Sequence, residues 1–313
     1  MSYGDGSSNG NEGNGYFDAL TSIDVAAHEI GHAVTEYTAN LAYQRESGGI
    51  NEGYSDIWGA AVEHFAKGNG NDANPDASIW LIGDEIDRRN GSAALRSMSN
   101  PTSLGQPDTY GGTYWQNPNC GTPTQSNDYC GVHTNSGVLN YWFYLTVAGG
   151  NGTNDIGNSF SVSGIGMTKA AKISYRAINN YLSANSTYAD ARTAMIQSAQ
   201  DLYGADGAEE QGVTNAWYAV GVGDAYGGGT PTTCYTGDIS LSITFDNYPE
   251  ETAWTLKNSS GTTVASASYS NANPDGSTIN ETFTGLVVDD YTFTITDAYG
   301  DGICCSYGSG SYS

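Results

Sequence analysis

Apolar residues recur at helical spacing in one part of the chain and at strand spacing in another. From residue 168 to 224 they form three runs: Ala171, Tyr175, Ile178 and Leu182; Ala191, Met195, Ala199 and Leu202; Val213, Ala216, Trp217 and Val220. Intervals of three and four place such residues on one helix face, so this stretch predicts bundle core. A similar pattern, with Ile57, Trp58 and Ala61, predicts helices over residues 22–66. Beyond residue 235 the period drops to two, in Ile239, Leu241, Ile243 and Phe245, in Trp254 and Leu256, and in Tyr291, Phe293 and Ile295. Alternation of that kind, with the turn words NSSG, NPDG and YGDG between runs, predicts a small all-β sandwich over 235–313. Its last residues, YGSGSYS, read as the start of a strand that is cut short. YGGGTPTT, within residues 225–234, reads as a flexible linker. The expected fold class is therefore α+β multidomain: a mainly helical region over 1–224, with a C-terminal helical lobe at about 132–224, then the sandwich.

Composition narrows the partners. At 313 residues the chain has room for about two domains with cores of their own. Ten Lys and Arg against 34 Asp and Glu give a net charge of −24. That balance argues against nucleic acid and anionic membrane surfaces. No apolar run approaches the ~20 residues of a membrane span. Forty-two glycines and 23 tyrosines fit a loop-rich secreted protein, expected to be monomeric. Five cysteines, an odd number, leave one without a partner here. Cys120 and Cys130 bracket a short loop, where a disulfide would limit motion. Adjacent Cys304 and Cys305 are not expected to pair with each other; one could reach Cys234.

Chemistry concentrates between Ile23 and Asp56. His28, Glu29 and His32 form His-Glu-x-x-His, and residues four apart share a helix face, so both imidazoles can meet one metal ion. Glu29 is placed to reach a water on that metal. A catalytic zinc takes three protein ligands and keeps one position open. Glu52, in Asn-Glu-Gly-Tyr-Ser-Asp, supplies the third ligand. Asp56, one turn later, can accept the other N–H of a zinc-bound histidine, with Asn51 in the same supporting layer. A metzincin would need histidine where Thr38 stands, and zinc aminopeptidases keep one residue fewer before the glutamate.

This spacing, with the words AVTEYTA and ESGGINEGYSD, closely resembles the thermolysin-like neutral endopeptidases. The resemblance extends over roughly residues 1–224. It implies a secreted zinc endopeptidase acting on proteins or peptides, with a large apolar residue after the cleavage point. DYCGVHTNSGVLNYWFYL implies His133 as a donor to the oxyanion, Asp128 as its carboxylate partner, and Tyr43, from LAYQ, as a second donor. SAALRSMSN implies Arg96 on the substrate backbone, with Leu95, Ile82, Val25 and Leu20 as pocket walls; Leu20 serves equally as ordinary core. One structural calcium is implied at Asp24, Glu63, Asp76 and Asp84, carboxylates gathered without basic partners. Leu81 stands where some relatives carry an acid for a second ion. His64 reads as a surface residue. SYGDG after Met1 resembles the interior of the family's catalytic domain, so the chain reads as an internal piece of a longer precursor, without its signal peptide or propeptide. The β-sandwich resembles an accessory module of secreted bacterial enzymes. Asp297 and Asp301 fit calcium or turn chemistry equally. The competing reading is a non-catalytic or weakly active fragment whose β-module serves binding or targeting.

Overall fold

The computed structural model describes residues 3–227, 237–259, 261–286 and 291–313, in two compact units, Met1–Gly229 and Thr230–Ser313. In the first unit the described residues form six α-helices: α1 (Ile23–Glu36), α2 (Arg45–Lys67), α3 (Asp128–Ala148), α4 (Met167–Asn180), α5 (Tyr188–Tyr203) and α6 (Ala208–Ala219). Two antiparallel ribbons accompany them, β1 (Leu81–Ile82) with β2 (Arg96–Ser97) and β3 (Gly150–Thr153) with β4 (Ser159–Val162).

Two glycines set the closeness of α1 and α2. A Cβ on Gly31 would stand 3.0 Å from the Ser55 Cα, and one on Gly59 would stand 2.8 Å from the Asp24 carbonyl oxygen. Both are inside van der Waals contact, so the helix backbones approach more closely than alanine would permit. Short side chains can then meet across the gap. α3 runs behind α2, and its buried Trp142 stacks on Trp217 of α6 with ring centroids 5.1 Å apart. Thr187 and Asp190 close a reciprocal cap at the start of α5.

The helical stripes agree with the pattern in α6 and most of α5. In α4 the stripe is displaced: Met167, Ala170, Ile173, Ser174, Ala177 and Ile178 are buried, while Tyr175 leaves 52% of its surface exposed. Ala170 and Ala171 suit either register, and Ile173 decides it. Leu202, at the end of α5, is also exposed rather than core.

In the second unit β5 (Gly237–Thr244), β6 (Thr252–Lys257), β7 (Thr263–Ser268), β8 (Thr278–Leu286), β9 (Thr292–Asp297) and β10 (Ser311–Tyr312) form two three-stranded antiparallel sheets, ordered β10-β5-β8 and β7-β6-β9. Leu241, Ile243, Phe245, Trp254 and Leu256 fill the core between them. The buried Trp254 indole donates to the Tyr269 hydroxyl at 2.8 Å.

Cys120 and Cys130 are bonded. Cys304 and Cys305 are bonded to each other, contrary to expectation. The chain reverses there, with Cys304 bridging to Ser309 and Cys305 at positive φ, which lets neighbouring sulfurs meet. Cys234 and linker residues 228–234 lie outside the described residues. Among the described residues no helix is long and apolar enough to cross a membrane.

Candidate metal and catalytic centre

α1 and α2 bring His28, His32 and Glu52 together, with ligand atoms all within 4.8 Å of one another. His28 Nε2 lies 3.6 Å from Glu52 Oε2, and His32 Nε2 lies 3.5 Å from Glu52 Oε1. The other ring nitrogens fix the tautomers. His28 Nδ1 donates to Asp56 Oδ1 at 2.7 Å. His32 Nδ1 donates to Asn51 Oδ1 at 2.8 Å, and the Asn51 amide is turned that way because its Nδ2 donates to the Leu41 carbonyl at 3.0 Å. With each Nδ1 so engaged, Nε2 is the atom that each ring turns toward the Glu52 carboxylate. Glu52 is wholly buried, and its Oε2 has no hydrogen-bond partner among the described residues. A buried carboxylate oxygen left so is costly unless a cation meets it. Two imidazoles and one carboxylate are the nitrogen and oxygen donors that zinc takes. The donor set fits.

Asp56 is the hub beneath it. Its carboxylate accepts from His28, from Arg96 Nε and Nη2 at 2.7 and 2.6 Å, and from Asn140 Nδ2 at 2.7 Å. Burial alone would raise its pKa; the Arg96 charge and the His28 bond outweigh that and hold it well below the usual carboxylate range. Arg96 thus spends two of its nitrogens on Asp56. Neither that anchorage nor Asn140 is visible in the sequence pattern, although a lone Asn inside the apolar run VLNYWF of α3 was a signal.

On the open side, Tyr43 and His133 converge. The Tyr43 hydroxyl donates to Glu52 Oε1 and lies 3.0 Å from His133 Nε2, which is itself 3.4 Å from Glu52 Oε1. Burial, and then the Glu52 carboxylate, push the Tyr43 phenol above its ordinary pKa, which keeps it a donor. His133 Nδ1 donates to Asp128 Oδ1, and the His133 backbone N–H donates to Asp128 Oδ2 at 3.0 Å. The buried Gln106 holds the His133 carbonyl at 2.6 Å, a support that sequence reasoning missed. Glu29, the residue after His28 on α1, is solvent-exposed.

Ile82 and Arg96 are paired across β1 and β2. Ile82 is fully buried, Val25 nearly so, and Leu95 and Leu20 are half-buried. Asp24, Glu63 and Asp84 gather near one another, and Asp24 Oδ1, Glu63 Oε2 and Asp84 Oδ1 are buried without partners among the described residues. Burial, then the neighbouring Asp24 and Asp84, push Glu63 up to about 7 against the pull of Lys67. Contrary to the expectation from sequence, the cluster has a basic partner: Lys67, one turn after Glu63, donates to it at 2.9 Å. Asp76 is not drawn in; it is exposed and accepts from Asn69 at 2.9 Å. In the β-unit, both Asp297 oxygens accept backbone N–H groups, from Tyr299, Gly300 and Gly302, as in a turn, and Asp297 and Asp301 also stand with Glu251, their carboxylate oxygens within 4.8 Å of one another.

Two imidazoles and a carboxylate brought together in this way form a donor group that fits a single metal ion, carried on a helix pair. The family models described as "Thermolysin metallopeptidase, alpha-helical domain" and "Thermolysin metallopeptidase, catalytic domain" match residues 39–222 and 1–36. The chain belongs to the thermolysin metallopeptidase family. It is 44% identical over 223 residues to bacillolysin of Bacillus caldolyticus and to thermolysin of Alicyclobacillus acidocaldarius subsp. acidocaldarius, covering 71% of this chain and 36% of each relative. The chain thus spans about a third of the length of the curated relatives it matches. Among solved structures, the precursor of protealysin, a metalloproteinase from Serratia proteamaculans, superposes with a TM-score of 0.52 at 29% identity, over 71% of this chain and 62% of that one.

Proposed function

We propose that this chain carries the catalytic centre of a zinc-dependent endopeptidase that hydrolyses internal peptide bonds of proteins. One observation carries the reading: the Nε2 atoms of two histidines and a buried Glu52 oxygen without a hydrogen-bond partner among the described residues converge within 4.8 Å of one another. His28, His32 and Glu52 would hold the metal. Bound zinc supplies Lewis acidity, lowering the pKa of a ligated water toward ~7 and polarising the scissile carbonyl. Glu29 takes the proton from the attacking water and passes it to the leaving amine. The Tyr43 hydroxyl and the His133 ring N–H donate to the carbonyl oxygen as its negative charge grows. Asp128 holds the His133 tautomer and balances its charge. Arg96, anchored on Asp56, keeps Nη1 for a substrate carbonyl, and Leu95, Ile82, Val25 and Leu20 back a pocket for a large apolar side chain after the cleavage point.

Several finer points belong to the same reading. A structural calcium bound by Asp24, Glu63 and Asp84 would meet three carboxylate oxygens that have no partner among the described residues; Asp76 gains no support as a fourth ligand. The protein acts outside the cell as a monomer, consistent with its −24 charge and tyrosine- and glycine-rich composition. The β-unit serves binding or targeting.

Metal analysis combined with casein hydrolysis tests the whole. The expectation is one zinc per chain, with hydrolysis abolished by a chelator and restored by zinc. Zinc-replete protein that leaves casein and peptides intact would overturn it.

A further inference from the structure

The backbone at the start of α3, around Asp128, is not right-handed helix. Asp128, Tyr129, Cys130 and Gly131 have φ of 53, 48, 72 and 86°, a full turn of left-handed backbone ahead of the right-handed helix. Three of the four carry a Cβ, which makes that turn unfavourable for L-residues; it persists only where surrounding structure imposes it. Two kinds of constraint act on it. Locally, Tyr129 N–H donates to the Thr124 carbonyl at 2.8 Å, and Asp128 accepts from both nitrogens of His133 named above. The second constraint is covalent, the bond from Cys130 to Cys120.

The far end of that bond is not loose. Arg45, the first residue of α2, donates to the Pro118 and Gly121 carbonyls, each at 2.7 Å. Asn127 Nδ2 donates to the Cys120 sulfur at 3.3 Å. A continuous path therefore runs from the helix that carries Glu52, through Arg45, the 118–121 loop and the disulfide, to the turn that carries Asp128. His133 lies three residues beyond Cys130. The half-exposed His133 ring is held between Asp128 at Nδ1 and the Tyr43 hydroxyl at Nε2, and the Asp128 side of that hold depends on this path.

We propose that the Cys120–Cys130 disulfide is a positioning device for the Asp128–His133 pair, and that reducing it lowers turnover without releasing metal or weakening substrate binding. This rests on the endopeptidase reading. In the reductive step a phosphine attacks one sulfur, the S–S bond breaks, and water completes the reaction, leaving two cysteine thiols and the phosphine oxide. Without the tether the left-handed residues relax toward ordinary backbone, and the carboxylate drifts from the imidazole.

The test compares the wild type, the wild type treated with a phosphine reductant, and the Cys120→Ser/Cys130→Ser variant. A phosphine avoids the zinc ligation that a dithiol would add. Zinc content, kcat, KM on one peptide and hydrogen exchange over residues 128–133 are measured on each. The expected result is kcat reduced about tenfold or more, as misplacement of a catalytic group by a fraction of an ångström gives. KM and zinc content hold, and exchange over 128–133 quickens. In an Asp128→Ala background, removing the disulfide should cost nothing further. The Cys304→Ser/Cys305→Ser variant should keep full activity and the same response to reductant, which isolates the effect from the second disulfide. Unchanged kcat, a loss confined to KM or zinc, an equal loss in the Asp128→Ala background, or unchanged exchange each overturns the proposal. If the wild type holds zinc yet hydrolyses nothing, the endopeptidase reading fails, and the tether stands or falls on exchange alone.

Discussion

His28 Nδ1 stands 2.7 Å from Asp56 Oδ1, and the same carboxylate takes both the Nε and Nη2 of Arg96. One buried anion thus fixes the tautomer of a metal-facing imidazole and pins the arginine nearest the cleft. The arrangement separates two jobs that could be confused. Asp56 does not face the metal position; it determines which nitrogen of His28 does.

Replacing Asp56 with Asn should weaken zinc binding about 10–100-fold, the usual cost of losing such a partner. The amide can donate to His28 Nδ1 and so favour the tautomer with its lone pair facing the wrong way. Competition for zinc against a calibrated chelator measures it. An affinity equal to the wild type would show that His28 needs no help from Asp56.

Glu29→Gln should behave in the opposite way. Glu29 is exposed and makes none of the contacts that assemble His28, His32 and Glu52. Zinc should therefore stay near one per chain while hydrolysis drops by the ~10²–10⁴ typical of a lost acid–base group. Zinc loss in this variant would make Glu29 a ligand instead.

His133→Ala should lower kcat and leave KM nearly unchanged, because its ring N–H serves charge that develops only in the transition state. Steady-state kinetics on a single peptide at saturating zinc will show the split. A deficit carried by KM would assign His133 to ground-state binding.

Much of the centre was legible because its signals are local. Four-residue spacing on one helix is a property of the helix alone, so His28 with His32, and Glu52 with Asp56, could be read without knowing the tertiary fold. What the sequence hid depends on reach across the fold. Arg96 meets Asp56 from β2, Asn140 meets it from α3, and Lys67 enters a cluster expected to hold only carboxylates. The same limit applies in the β-unit. β7 reads TVASAS, whose inward Ala265 and Ala267 are too small to mark an apolar face, although the register to Trp254 and Leu256 puts them beside the core. The bond between Cys304 and Cys305 needed a backbone conformation that spacing does not encode.

Calcium should stabilise the helical unit through Asp24, Glu63 and Asp84. Three buried carboxylate oxygens there lack partners among the described residues, and the basic group beside them is Lys67, which bonds Glu63. Adding calcium to metal-stripped protein should raise Tm by several degrees, and Asp24→Asn should remove most of that rise. Magnesium, which resists dehydration and demands tighter geometry, should do less. Identical melting curves with and without calcium would rule the site out.

Stability in acid should depend on Asp87, which sequence reading did not single out. Its buried carboxylate accepts from Arg89 Nη2 at 2.6 Å, from Ser92 Oγ at 2.7 Å and from the Arg89 backbone N–H at 2.9 Å. Burial opposes ionisation, but the Arg89 and Ser92 bonds outweigh it and bring the group from 3.8 down to about 2. The folded pKa therefore lies below the unfolded one. Between those values the unfolded chain binds more protons, so stability is fully present above pH 3.8 and is lost as pH falls toward 2. Asp87 is also paired with Phe17, ahead of α1, through an antiparallel backbone bridge. Asp87→Asn should melt lower than the wild type at neutral pH, because the amide leaves Arg89 without its counter-charge. The gap in Tm between the two proteins should then narrow as pH is lowered through that window. Parallel curves, with a constant gap down to pH 2, would place the ionisation of Asp87 outside the acid transition.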